Sequence, residues 1–195
     1  EEMLPQIAEE NLALYADVFC ETSAFDLAET RRILERAGDL GLGLRVHAEQ
    51  LHRTGGAALG VEMGAASVDH LEYLSPADVA LLAASSTAAT LLPGATLFLG
   101  MDAWPPARAL LDAGARVVLA TDCNPGSSMT HNLLLMGTLG CVRMGMSAHE
   151  SLLAITREPA GSLGLAGEAG VLRPGARADW ISATVSGIPD LVYQF

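Results

Sequence analysis

Short apolar segments alternate along the chain with longer segments that carry helical signals. The apolar segments, which predict strands, are residues 15–20, 44–47, 66–70, 88–92 and 117–120. Between them, capping sequences and helical spacing of apolar residues predict helices that begin near residues 26, 54, 75 and 105. The strand ends, near residues 20, 47, 70, 92 and 122, are 22 to 30 residues apart, the length of one strand plus one helix. This alternation predicts an α/β fold with a parallel sheet.

Two architectures have this alternation, a (β/α) barrel and an open doubly wound sheet. No Gly-x-Gly-x-x-Gly sequence follows a strand and no P-loop sequence is present, which counts against the open sheets that bind nucleotides. Five strands are too few to close an eight-stranded barrel. A barrel in this chain is therefore a partial (β/α)8 TIM-type barrel.

The pattern changes after Asn132. Long helices are predicted over residues 131–144 and 147–163, and a capping box of Ser147 and Glu150 opens the second one. Residues 170–181 form a turn-rich segment of β character that lies outside the alternation of strands and helices. We therefore predict a barrel part over residues 1–165 and a segment of a small β domain over residues 166–195.

The composition excludes several classes of partner. The formal net charge is -12, and all eleven basic residues are Arg, so we expect neither nucleic acid nor a membrane as a partner. No apolar run reaches the roughly 20 residues that cross a bilayer. The N-terminal residues have no basic start followed by an apolar stretch, which favours a cytoplasmic location. The three cysteines, Cys20, Cys123 and Cys141, are widely spaced and are expected to be reduced and mostly buried.

Polar side chains gather where three of the predicted strands end. In a parallel barrel the chemistry lies at the carboxyl ends of the strands. Singly, each His could be a hydrogen-bonded structural residue, and the Asp before the last turn could cap a helix. Together, two imidazoles and a carboxylate at one end of a sheet predict a divalent-metal site. The three clusters are His47 to Gln50, Asp69-His70, and Thr121-Asp122 with the turn Asn124-Pro125-Gly126-Ser127.

A metal at this position would explain the neighbouring groups. It would lower the pKa of a bound water to about 7 and generate hydroxide. A nearby carboxylate could then accept a proton, and the second imidazole could polarise a carbonyl group. Cys123 directly follows Asp122, so we expect its side chain to point away from the metal and into the core.

These clusters resemble the amidohydrolase superfamily and, within it, the imidazolonepropionase family. The resemblance runs over nearly the whole chain, and its more specific parts are the His-Ala-Glu-Gln segment and the Asp-x-Asn-Pro-Gly-Ser turn. The matching stretches are residues 44–51, 64–74, 91–95 and 120–128.

The resemblance implies a role for each matching residue. The family binds one Zn²⁺ or Fe³⁺ ion through a His-x-His strand, a later His and an Asp. His47 matches the later His, and Asp122 matches the Asp; Asp122 and His70 could share the proton transfer. His70 matches the catalytic histidine, and Gln50 matches a substrate-contacting position. The turn residues Asn124, Gly126 and Ser127 match those that hold the propionate of the substrate, a role that suits backbone N–H groups in a tight turn.

The implied reaction is hydrolysis of the ring amide of 4-imidazolone-5-propionate to N-formimino-L-glutamate, a step of histidine degradation. The resemblance also implies a homodimer and a small β-sandwich domain, of which this chain would hold only the C-terminal part. No His-x-His sequence occurs in the chain, so two of the four metal ligands are expected upstream, with the first three barrel strands. Two alternatives remain: another amidohydrolase such as a nucleobase deaminase, and a non-catalytic barrel fragment.

Overall fold

The computed structural model describes residues 2–193 and contains one five-stranded sheet. Its order in space, β1-β2-β3-β4-β5, is the order in the chain, and every neighbouring pair is parallel. The strands are β1 (Tyr15–Cys20), β2 (Gly43–Ala48), β3 (Ser67–His70), β4 (Ala88–Leu91) and β5 (Val117–Leu119). All five predicted strands and their parallel arrangement are confirmed.

Helices connect the strands and cover one face of the sheet. Three of them begin at the capping boxes formed by Asp26 with Glu29, Ser75 with Asp78, and Ser147 with Glu150. The helices are α1 (Met3–Glu9), α2 (Leu27–Asp39), α3 (Gly56–Glu62), α4 (Pro76–Ala83), α5 (Pro93–Phe98), α6 (Ala107–Ala113), α7 (Leu133–Met144), α8 (Ala148–Ala154), α9 (Arg157–Ser162) and α10 (Ile188–Tyr193). Within residues 2–193, no helix is both long enough and apolar enough to span a membrane.

The single helix predicted over residues 147–163 is wrong. The structure has two helices, α8 and α9, separated at Thr156, whose φ of -128° and ψ of -80° are not helical. Pro159 gives the physical reason. In a continuous helix its ring would clash with the carbonyl group of Ile155, and it cannot donate a backbone hydrogen bond.

The β character predicted for residues 170–181 is not observed. In the described part of the chain, no strand follows Leu119, and residues 170–187 belong to no helix either. The large side chains of this segment are exposed, including Leu172 at 91% and Ile181 at 82%. A strand needs a neighbour to bond its backbone, and none is within reach here. A separate β-sandwich domain over residues 166–195 stays a prediction.

The two faces of the sheet differ in character. Val18, Val46 and Val68 face the helices and belong to the main buried cluster. Since successive side chains of a strand point to opposite faces, Asp17, His47 and Asp69 lie on the other face. In residues 2–193, β1 pairs only with β2 and β5 only with β4, so both sheet edges are open.

Candidate active site

A cavity of about 340 Å³ lies at the carboxyl ends of the strands. It is lined by six of the seven residues that the sequence indicates as site residues, namely His47, Gln50, His70, Asp122, Asn124 and Ser127, together with Asp17 and Phe19. Gly126 is the seventh predicted residue and does not line the cavity. Strand ends that are far apart in the chain thus contribute polar groups to one place.

His47 is oriented by two carboxylates. Its Nδ1 lies 2.9 Å from Oδ1 of Asp17 and 3.9 Å from Oδ2 of Asp69. Burial lowers the pKa of His47, but the hydrogen bond to Asp17 and the charges of nearby Asp residues outweigh this effect, so the pKa is raised overall. Because Nδ1 is engaged, Nε2 is the nitrogen available to a metal ion.

Asp17, His47 and Asp69 could form a metal site of their own, since one ligand atom of each lies within 4.8 Å of the others. The contacts argue against this role, because both carboxylates approach the same nitrogen, Nδ1. They are placed to hold the ring and fix its tautomer. The predicted metal ligand Asp122 instead lines the cavity together with His47. The sequence analysis did not indicate Asp17 as a site residue, although an acidic residue inside an apolar strand is a detectable signal.

His70 is buried, with 2% of its surface exposed, and its ring centroid lies 5.1 Å from that of His47. Burial and the charge of His47 lower the pKa of His70 to about 3, so its imidazole is neutral at pH 7. Its φ of 82° is left-handed, as is the φ of 74° at Leu71. In a regular strand His70 would share the helix-covered face with Val68, and this backbone conformation ends that alternation.

Glu72 is a buried carboxyl group next to His70 that the sequence did not indicate. Its Oε1 accepts a hydrogen bond of 2.7 Å from the hydroxyl of Thr96 and lies 4.0 Å from Nδ1 of His70. Burial raises the pKa of Glu72 to about 7. A neutral, protonated form of this group is therefore accessible near neutral pH.

The turn after Asp122 is held by Asn124. The Oδ1 atom of Asn124 accepts hydrogen bonds from the backbone N–H groups of Gly126 at 2.7 Å and Ser127 at 2.8 Å. The hydroxyl of Ser127 lies 3.3 Å from Oδ2 of Asp122. The backbone donors that were expected to hold a carboxylate are thus engaged within the turn, and they become available only if the Asn124 side chain rotates away.

The expectation that Cys123 is a core thiol is wrong, because Cys123 is exposed. The φ of 50° at Asp122 interrupts the alternation of side chains on which that expectation depended. Of the other two cysteines, Cys20 is buried and Cys141 is partly buried.

Two buried carboxylates hold the loop that carries Gln50. Glu49 accepts three hydrogen bonds of 2.8 to 3.2 Å from backbone N–H groups between residues 54 and 57. Glu21 accepts two, of 2.9 and 3.1 Å, from the N–H groups of residues 51 and 52. Gln50 is 8% exposed and reaches the cavity wall. Its position is therefore set by side chains that do not themselves line the cavity.

Comparison with known proteins agrees with this geometry. The sequence profile of the amidohydrolase family matches residues 6–181. The chain belongs to the amidohydrolase family. It is 45% identical over 194 residues to an imidazolonepropionase of Shewanella amazonensis, covering 100% of this chain and 47% of the relative. It is 46% identical over 193 residues to an imidazolonepropionase of Deinococcus deserti, covering 99% and 48%. This amidohydrolase chain spans about half the length of the curated relatives it matches.

Solved structures with low sequence identity to this chain have the same fold. A triazine hydrolase variant superimposes with a TM-score of 0.72 at 21% identity, covering 98% of this chain and 51% of that one. A zinc-bound adenosine deaminase from Xanthomonas campestris superimposes with a TM-score of 0.67 at 19% identity, covering 80% and 40%. The five parallel strands of this amidohydrolase chain are thus part of a (β/α)8 barrel.

Proposed function

We propose that this chain provides the later strands and half of the metal ligands of an imidazolonepropionase. The observation that carries the proposal is the convergence of His47, Gln50, His70, Asp122, Asn124 and Ser127 on one cavity. The identity of 45% to the Shewanella amazonensis enzyme over the whole chain supports the choice of substrate. The reaction is hydrolysis of the ring amide of 4-imidazolone-5-propionate to N-formimino-L-glutamate.

The donor groups in the cavity fit a single metal ion. His47 offers Nε2, because Asp17 occupies its Nδ1, and Asp122 offers a carboxylate oxygen. An imidazole and a carboxylate suit Zn²⁺ or iron, and the adenosine deaminase with the same fold contains zinc. Two further ligands come from outside these 195 residues. When bound, the ion supplies hydroxide at neutral pH by lowering the pKa of a water molecule.

The side chains of this chain perform the remaining steps. Neutral His70 donates a hydrogen bond from Nε2 to the ring carbonyl, which draws electrons from the carbon that is attacked. Asp122 accepts the proton of the attacking water and passes it to the ring nitrogen as the C–N bond breaks. The carbonyl carbon becomes the new carboxylate. The low pKa of His70 supports this assignment, because a neutral imidazole keeps its donor role over the whole physiological range.

The propionate tail of the substrate is placed in the turn after Asp122. The hydroxyl of Ser127 and the N–H groups of Gly126 and Ser127 are the donors that it would use. Since Asn124 accepts from both N–H groups in this structure, the tail must displace the Asn124 carbonyl oxygen. The Asn124 amide can then donate to the same carboxylate. The homodimer and the cytoplasmic location are proposals that depend on the resemblance to this family.

A second candidate is an amidohydrolase that acts on a nucleobase-like ring. One observation favours it: the donors of the turn are already satisfied by Asn124, and a substrate without a carboxylate needs no rearrangement there. The sequence identity to imidazolonepropionases favours the first candidate.

The test is a comparison of this chain with a version extended upstream to the full length of its relatives. Bound metal is measured per chain by elemental analysis, and turnover is measured with imidazolonepropionate, cytosine and guanine. We expect about one metal per extended chain and turnover of imidazolonepropionate alone. Turnover of a nucleobase would establish the second candidate, and an extended protein without metal or turnover would favour a non-catalytic role.

A further inference from the structure

Two neighbouring buried side chains beside the cavity each have a polar atom without a hydrogen bond. These atoms are Nδ1 of His70 and Oε2 of Glu72. The side chains are 3% and 0% exposed, so water does not satisfy them, and Nδ1 lies 4.0 Å from the nearer carboxyl oxygen, Oε1. A buried polar group without a hydrogen bond destabilises the folded protein. A hydrogen bond between the carboxyl group of Glu72 and Nδ1 of His70 would satisfy both atoms at once.

We propose that Glu72 is a positioning residue, whose carboxyl group donates a hydrogen bond to Nδ1 of His70 and holds the imidazole as its Nε2–H tautomer. This inference rests on the proposed function, in which Nε2–H of His70 polarises the carbonyl of the substrate.

The contacts of Glu72 support the direction of this hydrogen bond. Its Oε1 already accepts from the hydroxyl of Thr96 at 2.7 Å, which leaves the carboxyl O–H in need of an acceptor. Nδ1 of a neutral imidazole is such an acceptor. The raised pKa of Glu72, about 7 because of burial, is consistent with a protonated carboxyl. Thr96 is itself fully buried, so Thr96, Glu72 and His70 form a chain from the start of α5 to the cavity.

The first experiment measures kcat, KM and metal content in the extended protein for Glu72→Leu and Glu72→Gln. Leucine removes the donor, so we expect kcat to fall about 10- to 100-fold while KM and metal content stay the same. Glutamine keeps a donor for Nδ1 and an acceptor for Thr96, so it is expected to restore kcat to within about 5-fold of the wild type. Equal kcat in the wild type and Glu72→Leu would overturn the inference.

A matched control and a second variant separate positioning from folding. Asp78→Asn alters another buried carboxyl group, one that caps α4, and is expected to lower thermal stability without changing kcat. Thr96→Val removes the hydroxyl that orients Glu72, so kcat should fall in the same direction but less, even if Glu72→Leu does not fold. An unchanged kcat in Thr96→Val, with Glu72→Leu unfolded, would also count against the inference.

A measurement without substrate distinguishes this inference from the proposed function. In zinc-loaded extended protein labelled with ¹⁵N-histidine, the imidazole nitrogen shifts report the tautomer, and His70 is assigned by comparison with His70→Asn. We expect the Nε2–H form in the wild type and in Glu72→Gln, and a mixture in Thr96→Val. The Nδ1–H form in the wild type would refute the role of Glu72 even if imidazolonepropionate is hydrolysed. The expected tautomer without turnover would refute only the proposed function.

Discussion

Among residues 2–193, four of the five non-glycine residues with a left-handed backbone lie at or just after strand ends near the cavity, and two of them, His70 and Asp122, line it. Glu49, His70, Leu71 and Asp122 have φ values of 56°, 82°, 74° and 50°, and each follows or ends a strand. This conformation costs an L-residue roughly 1–2 kcal/mol, and such strain is typically found at functional sites. Here it redirects side chains that regular strand alternation would place elsewhere, so the strain serves the geometry of the site.

The raised pKa of Glu72 predicts that the stability of the folded protein depends on pH. Its pKa is about 7 in the folded protein, against an ordinary value of 4.5. Below about pH 4.5 the Glu72 carboxyl is protonated in both the folded and the unfolded chain, and the free energy of unfolding is at its highest. As the pH rises, the unfolded chain loses this proton first, so the free energy of unfolding falls until the pH passes about 7. Between pH 4.5 and 8, the free energy of unfolding should fall by roughly 3 kcal/mol more in the wild type than in Glu72→Gln. Urea unfolding at several pH values measures this difference, and parallel curves would contradict it.

The hydrogen bond between Asp17 and His47 predicts an effect on metal affinity. Asp17→Ala removes the acceptor for Nδ1, so His47 loses its fixed tautomer, and the dissociation constant for zinc should rise about 10- to 100-fold. Chelator competition on the extended protein measures it. Asp39→Asn, at the exposed end of α2, is the matched control and should leave the affinity unchanged. An equal affinity in Asp17→Ala would show that Asp17 does not orient the ligand.

The predictable part of the site is the set of residue types at strand ends. His47, His70 and Asp122 could be found because the alternation located the strand ends, and family motifs supplied their neighbours. Asp17 has only an indirect signal, an acidic residue inside an apolar strand. Glu72 and Thr96 have none, because their roles depend on burial and on contacts between segments that are distant in the chain. The exposure of Cys123 was also not predictable, because the left-handed conformation at Asp122 is not marked by a glycine.

Among the elements, the loop from β2 to α3 depends most on single side chains. Glu49 is fully buried and accepts hydrogen bonds from three backbone N–H groups at the start of α3. Glu49→Gln replaces one acceptor oxygen by a donor that faces other donors, so the free energy of unfolding should fall by about 1–3 kcal/mol. Glu62→Gln, which alters an exposed ion pair with Arg31, is the control and should change little.

The consequence for Gln50 gives this prediction a second readout. If Glu49 positions the loop, Glu49→Gln should also raise KM for imidazolonepropionate in the extended protein. Loss of stability with an unchanged KM would mean that Gln50 is placed independently of Glu49.

The helices that the sequence analysis did not predict are short. Helices α1, α5 and α10 have six or seven residues. The equally short α3 and α6 were located because each fills an interval between two strands, whereas α1 and α10 lie outside the alternation and α5 shares its interval with α6. Strands were located better, because each is a compact apolar run bounded by turns. The break between α8 and α9 had a local signal in Pro159, but the capping box at Ser147 masked it by predicting one long helix.

For the molecule as a whole, the two open edges of the sheet predict self-association. β1 and β5 each have one unbonded side in the described chain, and such edges pair with other strands. The 195-residue chain alone should therefore form species whose mass increases with concentration, as measured by size-exclusion chromatography with light scattering. The extended protein should have one fixed stoichiometry, expected to be a dimer. A monomeric chain at every concentration would contradict this prediction.

The identical order of the strands in space and in the chain affects how the sheet can fold during synthesis. Each strand bonds to the one made just before it, so a strand leaving the ribosome finds its neighbour already exposed at the growing edge. Loops that close over 20 to 30 residues cost little entropy, and no strand has to wait for a partner made later. Assembly can thus keep pace with translation, from the first strand to the last. Asp122 and the turn that follows it come after the last strand of this sheet, so Asp122, Asn124 and Ser127 would be the last of the lining residues to reach the cavity.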